Sequence, residues 1–128
     1  MCILNQLGSR YPSIQWLTRI GLSILFPLSL WIALIPIDQY VPNVAFSDKV
    51  LHFLVFFGFS LLLQIAYPQT QNFWYKNGLP LIAYGTLIEI FQAFSPYRSF
   101  SIGDGIADAC GVIAFWTFLL ICRNRQTS

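Results

Sequence analysis

Charged residues are scarce in this chain. They make up 9% of its 128 residues, against about 25% in an ordinary soluble protein. Hydrophobic residues make up 56%, and so short a chain has too small an interior to hide that much apolar surface from water. The net charge of +2 is small and no basic run interleaves with aromatic residues, which argues against a nucleic-acid partner. The composition predicts one membrane domain covering residues 1–128.

The sequence also lacks the short motifs that identify several enzyme and metal-binding classes. Three cysteines, Cys2, Cys110 and Cys122, form neither an even disulfide framework nor a Cys-x-x-Cys pair. We interpret Cys110 as a small packing residue in an apolar helix. There is no His-Glu-x-x-His zinc motif, no Gly-x-Ser-x-Gly nucleophile elbow and no phosphate-binding glycine loop. Function must therefore be inferred from where the few ionisable residues lie.

Four apolar segments occupy most of the chain, at residues 17–35, 50–67, 79–94 and 106–122. Each approaches the roughly 20 residues that cross a hydrocarbon core about 30 Å thick. Pro27 predicts a kink inside the first segment. A secretory signal is the alternative for that segment, but no small-x-small cleavage pattern follows it. The pattern predicts an all-α, polytopic membrane protein with a bundle of four transmembrane helices.

The positive charges predict how this bundle is oriented, because basic residues concentrate on the cytoplasmic side of membrane proteins. If all four segments cross, five basic residues share one side: Arg10, Arg19, Lys76, Arg123 and Arg125. The other side holds Lys49 and Arg98, both near acidic residues. We therefore expect a multi-pass protein of the bacterial cytoplasmic membrane with both termini cytoplasmic. The loops at residues 36–47 and 95–103 face outward.

This topology gathers seven ionisable residues near the outer face: Asp48, Lys49, His52, Glu89, Arg98, Asp104 and Asp108. Asp48 and His52 are four residues apart and share a helical face, as do Asp104 and Asp108. Gly111 continues the second stripe, and Gln92 follows Glu89 by one turn. A charge at membrane depth costs about 2.5–3.5 kcal/mol, so we expect Glu89 and Asp108 to have partners or to be protonated.

Each of these residues also has a structural explanation. Ser47 or Asp48, and likewise Asp104, could cap helix N-termini. Arg98 could reach the polar pair of the third or of the fourth helix, or it could be only an interfacial anchor. Gln92 could join two helices by a hydrogen bond. Four carboxylates face two fixed cations, and this surplus allows a divalent cation, protonated carboxyls or a positively charged substrate group. No metal ligand or cofactor is assigned, because the sequence indicates a divalent cation only weakly.

The last three segments carry an ordered set of polar residues: Asp48-Lys49-x-x-His52-Phe53, Glu89-x-x-Gln92-x-Phe94, Arg98, Asp104 and Gly111. This set resembles the VanZ-like family, small bacterial membrane proteins named after a teicoplanin-resistance accessory protein. The resemblance covers roughly residues 30–122. Asp108 departs from the pattern, since members usually carry Asn there. The resemblance implies a four-helix membrane protein of the cell envelope, with glycopeptide tolerance as one expected role.

Two hypotheses of function follow from the polar cluster. In the first, an outward-facing site binds or modifies a lipid-linked envelope component, with Glu89, His52 and Asp104 as the catalytic candidates. The substrate-binding candidates are Lys49, Arg98, Gln92, Asp48 and Asp108. In the second, the protein is a non-catalytic binding or assembly protein whose polar cluster is a structural network. Whether it is an enzyme stays open, and a homodimer is expected only on grounds of small size, since no clear Gly-x-x-x-Gly pair occurs.

Overall fold

The computed structural model describes residues 10–36, 44–68 and 72–124. These residues contain four α-helices: α1 (Pro12–Leu34), α2 (Val44–Ala66), α3 (Leu79–Phe94) and α4 (Ile102–Asn124). A π-helical turn, Trp74–Gly78, leads directly into α3. No β-strand occurs in the described ranges, which confirms the prediction of an all-α fold.

Three of the helices are long and apolar enough to cross a membrane: Pro12–Leu34, Asp48–Ala66 and Ile102–Cys122. The helix α3 has only 16 residues, although the π-helical turn before it lengthens the continuous helical run back to Phe73. The chain is therefore a helical membrane protein. That α3 forms a fourth span stays a prediction.

Three helices begin earlier than their apolar segments predict: α1 at Pro12 instead of residue 17, α2 at Val44 instead of residue 50, and α4 at Ile102 instead of residue 106. The helix α2 starts at Val44, so the predicted loop at residues 36–47 is wrong in its last part, and residues 37–43 lie outside the described structure. The helix α4 starts at Ile102 because Ser101 precedes it, and the Asp104 amide donates to the Ser101 hydroxyl at 3.3 Å. Asp48 lies inside α2 and Asp104 follows the capping serine, so the interpretation of these two aspartates as N-caps is wrong.

The closest helix pair is α2 with α4, which have the most extensive contact in the bundle. Gly111 on α4 faces the α2 backbone, where an added Cβ would overlap the Phe53 carbonyl oxygen and lie 3.0 Å from the Phe57 nitrogen. Only glycine permits this approach. The buried core combines aliphatic and aromatic side chains, among them Phe56 and Phe115, which are 1% and 0% exposed.

Polar links and aromatic contacts, together with the buried Leu22, hold the helix α1 to the others. It continues through Pro27 without a break. The Tyr84 hydroxyl of α3 donates to the Phe26 carbonyl at 2.6 Å, and the Phe26 and Tyr84 rings meet edge to face. At the other end of α1, the Arg19 guanidinium donates to the Ala66 carbonyl at 3.1 Å. These links fix α1 against both α2 and α3.

The outward faces of the helices are apolar. Trp16, Leu54 and Ile106 are among the large hydrophobic side chains that are more than half exposed, as expected for surfaces that contact lipid rather than water. Cys110 lies on such a face and is exposed, so its interpretation as a packing residue is wrong.

Candidate functional site

Two ion pairs connect α2 to α4 near the beginnings of both helices. Lys49 Nζ lies 2.9 Å from Asp104 Oδ1, and His52 Nδ1 lies 2.8 Å from Asp108 Oδ1. Their spacing in the two helices, three and four residues, shows that α2 and α4 run parallel, with matching turns side by side. The pairs differ in environment: the Lys49 side chain is 45% exposed, whereas those of His52 and Asp108 are 10% and 2% exposed.

A third ion pair brings in the loop between α3 and α4. Arg98 Nη2 lies 2.9 Å from Asp48 Oδ2, and the two side chains are 7% and 17% exposed. The sequence led us to expect Arg98 to reach α3 or α4, but its ion pair is with α2. Such a desolvated pair fixes the loop against the beginning of α2, because removing either partner would leave a buried charge uncompensated.

Glu89 and Gln92, one turn apart near the end of α3, are both almost fully buried. Glu89 Oε2 accepts from the Ser101 amide at 2.9 Å, which links α3 to the start of α4. Gln92 Nε2 donates to the Ala33 carbonyl at 2.9 Å, which links α3 to the end of α1. Gln92 therefore joins two helices by a hydrogen bond, as its structural explanation predicted.

Three buried oxygen atoms in this cluster accept no hydrogen bond from the described residues: Glu89 Oε1, Gln92 Oε1 and Asp108 Oδ2. Glu89 also lies close enough to His52, Asp104 and Asp108 to interact with each of them electrostatically. All three oxygens are acceptors. The cluster thus has more acceptor atoms than donors, an imbalance that a proton, a cation or a ligand carrying donor groups would correct.

A glycine makes room for one of these unpaired oxygens. A Cβ added at Gly85 of α3 would lie 2.6 Å from Asp108 Oδ2 and 3.1 Å from the Phe56 ring. The Asp108 carboxylate therefore lies between His52 on one side and the bare α3 backbone on the other. Gly85 was not among the residues that the sequence singled out as functional, and its only signal is a glycine inside an apolar helix.

A cleft of about 210 Å³ opens beside the cluster, between α1, α2 and α3. Its walls are mostly apolar and include Ala33, Val55 and Ile88. Its polar lining comes chiefly from three residues of the cluster: Asp48, His52 and Arg98. The apolar wall residues could not be found from sequence, because any membrane helix carries similar side chains.

The structure thus brings all eight candidate residues to one end of the bundle. Three ion pairs join six of them to one another. Glu89 accepts from the Ser101 amide, and Gln92 donates to α1 beside them. Asp48, His52 and Arg98 face the cleft, whereas Glu89, Gln92 and Asp108 lie behind it. Their catalytic and substrate-binding roles stay predictions.

A small helical membrane protein with a buried cluster of acids and bases at one end is the class that this fold and site define. The profile of the VanZ/LLP1 family matches residues 6–123. The chain therefore belongs to the VanZ/LLP1 family, which confirms the resemblance. No curated protein and no solved structure matches it significantly.

Proposed function

We propose that this VanZ/LLP1 protein resides in the bacterial cytoplasmic membrane and binds a membrane amphiphile, a lipid-linked component of the cell envelope. The observation that carries the proposal is the cleft, which has apolar walls and a charged end. An amphiphile has the same two parts. Its chain would lie along Ala33, Val55 and Ile88, and its headgroup would lie against Asp48, His52 and Arg98.

The size of the cleft limits what it holds. An apolar cavity of about 150 Å³ is large enough to take up benzene, so a cleft of about 210 Å³ accommodates a segment of one chain rather than a whole lipid. The remaining chain would run along the exposed apolar faces of α1 and α2. This arrangement favours a single-chain or polyprenyl-like anchor over a bulky multi-chain lipid.

The charges at the end of the cleft favour a headgroup that carries both an anion and hydrogen-bond donors. Arg98 supplies a planar guanidinium, which suits a phosphate, and the exposed Lys49 ammonium lies beside Asp104 within reach of solvent. The Asp48 carboxylate, which also lines the cleft, accepts donors in return, such as hydroxyl or ammonium groups. A phosphate bearing a sugar or amino group meets both requirements.

The distribution of basic residues favours one orientation of the site in the membrane. Because α2 and α4 run parallel and the loop between α3 and α4 joins the cluster, the ends near Arg19 and Tyr67 lie opposite the site. Basic residues concentrate at those ends, and this bias favours a cytoplasmic location for them. The site would then open toward the outer leaflet, where envelope precursors are used and where binding one of them would contribute to glycopeptide tolerance.

Acid–base catalysis is the second candidate function, and one observation favours it. Asp108 engages Nδ1 of His52, and His52 lines the cleft, so Nε2 remains as the ring nitrogen that can exchange a proton with a bound headgroup. Glu89 would be the second proton carrier behind it. Turnover of an added lipid extract by wild type but not by His52→Ala would favour catalysis, and binding without turnover would favour the first candidate.

The test of the proposal uses native mass spectrometry on protein purified from bacterial membranes. Val55→Trp fills the cleft, whereas Leu54→Trp adds the same indole on an outward face where the residue is 57% exposed. We expect wild type and Leu54→Trp to retain a co-purifying amphiphile and Val55→Trp to lose it. Wild type that carries none, or Val55→Trp that retains as much as Leu54→Trp, would contradict the proposal.

A further inference from the structure

We propose that Asp48, His52 and Asp104 form a binding site for one divalent metal ion at the polar end of the cleft, with Asp108 as the residue that orients His52. The proposal goes beyond the binding of an amphiphile and does not depend on which amphiphile occupies the cleft. It assigns a cofactor to a chain whose sequence carries no recognised metal motif.

The three residues are already arranged nearly as ligands. Each offers one ligand atom, and these atoms lie within 4.8 Å of one another. Ligand atoms that are about 2.0–2.2 Å from a tetrahedral ion lie roughly 3.3–3.6 Å apart. The three side chains would therefore have to approach one another by up to about 1.5 Å, through side-chain rotation, to complete the site. Asp48 and His52 are one turn apart on α2, and Asp104 lies in the first turn of α4.

The surroundings of His52 point to a ligand independently of the acidic residues. A histidine that binds a metal almost always donates its other ring N–H to a carboxylate, a carbonyl or a water. His52 Nδ1 has this partner in Asp108, at 2.8 Å, and the two side chains are 10% and 2% exposed. Because Asp108 engages Nδ1, Nε2 is the ring nitrogen that would bind the ion.

Both carboxylates keep an oxygen outside their ion pairs. Lys49 engages Oδ1 of Asp104, and Arg98 engages Oδ2 of Asp48. The second oxygen of each carboxylate would be the one that binds the ion. Lys49 and Arg98 would therefore hold the two carboxylates in place while the ion binds. Metal-binding carboxylates are commonly held by hydrogen bonds in the same way.

The overall charge of the cluster also favours an ion. Four carboxylates and two fixed cations leave a surplus of two negative charges when histidine is neutral. A divalent cation cancels that surplus, and uncompensated charge is costly inside a membrane. Two carboxylates and one imidazole suit Mn²⁺, Fe²⁺ or Zn²⁺ better than they suit soft metals such as Cu⁺. Protonation of His52 together with Glu89 would cancel the same surplus without metal, and the experiment must separate the two.

The experiment measures binding of Co²⁺ and Mn²⁺ to metal-free protein in nanodiscs, prepared without a histidine tag. Visible absorption of Co²⁺ reports its binding and coordination geometry, and electron paramagnetic resonance reports free Mn²⁺. We expect one ion per chain in wild type. His52→Ala and Asp104→Asn remove ligands and should weaken binding more than tenfold, and Asp108→Asn should weaken it by about 10–100-fold through the lost orientation of His52.

Glu89→Gln is the matched control, because it removes one negative charge from the same cluster without removing a ligand. Its affinity should fall less than that of Asp104→Asn. Wild-type protein that binds neither ion at millimolar concentration would overturn the proposal, as would ions that bind equally well after His52→Ala. The wild-type measurement decides even if a variant fails to fold. If Val55→Trp loses the amphiphile but still binds Co²⁺, the metal site does not depend on the amphiphile site.

Discussion

Replacing Gly111 with alanine tests the close packing that positions the site. An alanine Cβ there meets the backbone of α2 at Phe53 and Phe57 rather than a side chain that could rotate away. Ordinary contact begins near 3.4 Å, and the Cβ would lie 3.0 Å from the Phe57 nitrogen and closer still to the Phe53 carbonyl. The two helices must therefore move apart by at least about 0.4 Å, in a bundle packed as tightly as protein interiors generally are.

The magnitude of this effect follows from two opposing contributions. Overpacking of this kind costs about 1–3 kcal/mol, and rigid backbone on both sides places Gly111→Ala in the upper part of that range. Replacing a helical glycine with alanine gains roughly 0.5–1 kcal/mol of helix propensity. We therefore expect Gly111→Ala to lower the free energy of unfolding by about 1–2 kcal/mol, and to loosen the pair between Asp108 and His52 one turn away.

Gly105 provides the matched control on the same helix, because an added Cβ there meets nothing within 4 Å. Gly105→Ala should leave stability unchanged or raise it slightly, since it gains propensity without overpacking. The assay is equilibrium unfolding of both variants in the same mixed micelles, followed by circular dichroism. If Gly111→Ala is as stable as Gly105→Ala, the described contact between α2 and α4 is not the one that the folded protein makes.

Three further substitutions test the polar contacts, each by the same unfolding measurement. Asp108→Ala should cost about 1–3 kcal/mol because the buried His52 nitrogen loses its acceptor, and an equal cost for Asp108→Asn, which keeps an acceptor, would contradict that reason. Lys49→Gln should cost less stability than Asp108→Ala, because the lysine side chain is 45% exposed and glutamine keeps a donor for the buried Asp104 carboxylate; an equal or larger loss would show that the lysine charge itself compensates Asp104. Arg19→Lys should cost about 1–2 kcal/mol because the charge persists but the Nε–H bond to the Ala66 carbonyl is lost, and full stability would show that charge alone suffices.

Hydropathy predicted that four helices exist but not where three of them, α1, α2 and α4, begin. Hydropathy measures how favourably a segment transfers from water into lipid. It therefore located the apolar parts of α2 and α4 and left out their polar beginnings, which contain Asp48 and Asp104. Backbone hydrogen bonds continue past those polar residues to Val44 and Ile102. The π-helical turn was missed as well. Its Asn77 packs into the bundle and donates to Gln64 at 3.5 Å, a tertiary contact that no local pattern reveals.

The sequence predicted which residues form the site more completely than it predicted which of them pair with one another. Four-residue spacing placed His52 with Asp48 and Asp108 with Asp104, and both pairs do share a helical face. Which acid meets which base depends on how far α2 and α4 are shifted along each other, and sequence does not contain that shift. Arg98 is the clearest case, because its partner on α2 is fixed only once the loop folds back over the beginning of that helix.

The most direct test of the proposed amphiphile site is an experimental density map of the protein in nanodiscs made from native membrane lipid. We expect elongated density along Val55 and Ile88 that ends in a headgroup beside Arg98. At the same end, His52 should contact Asp108. A cleft closed by its own side chains, or a map in which His52 and Asp108 lie apart, would contradict it.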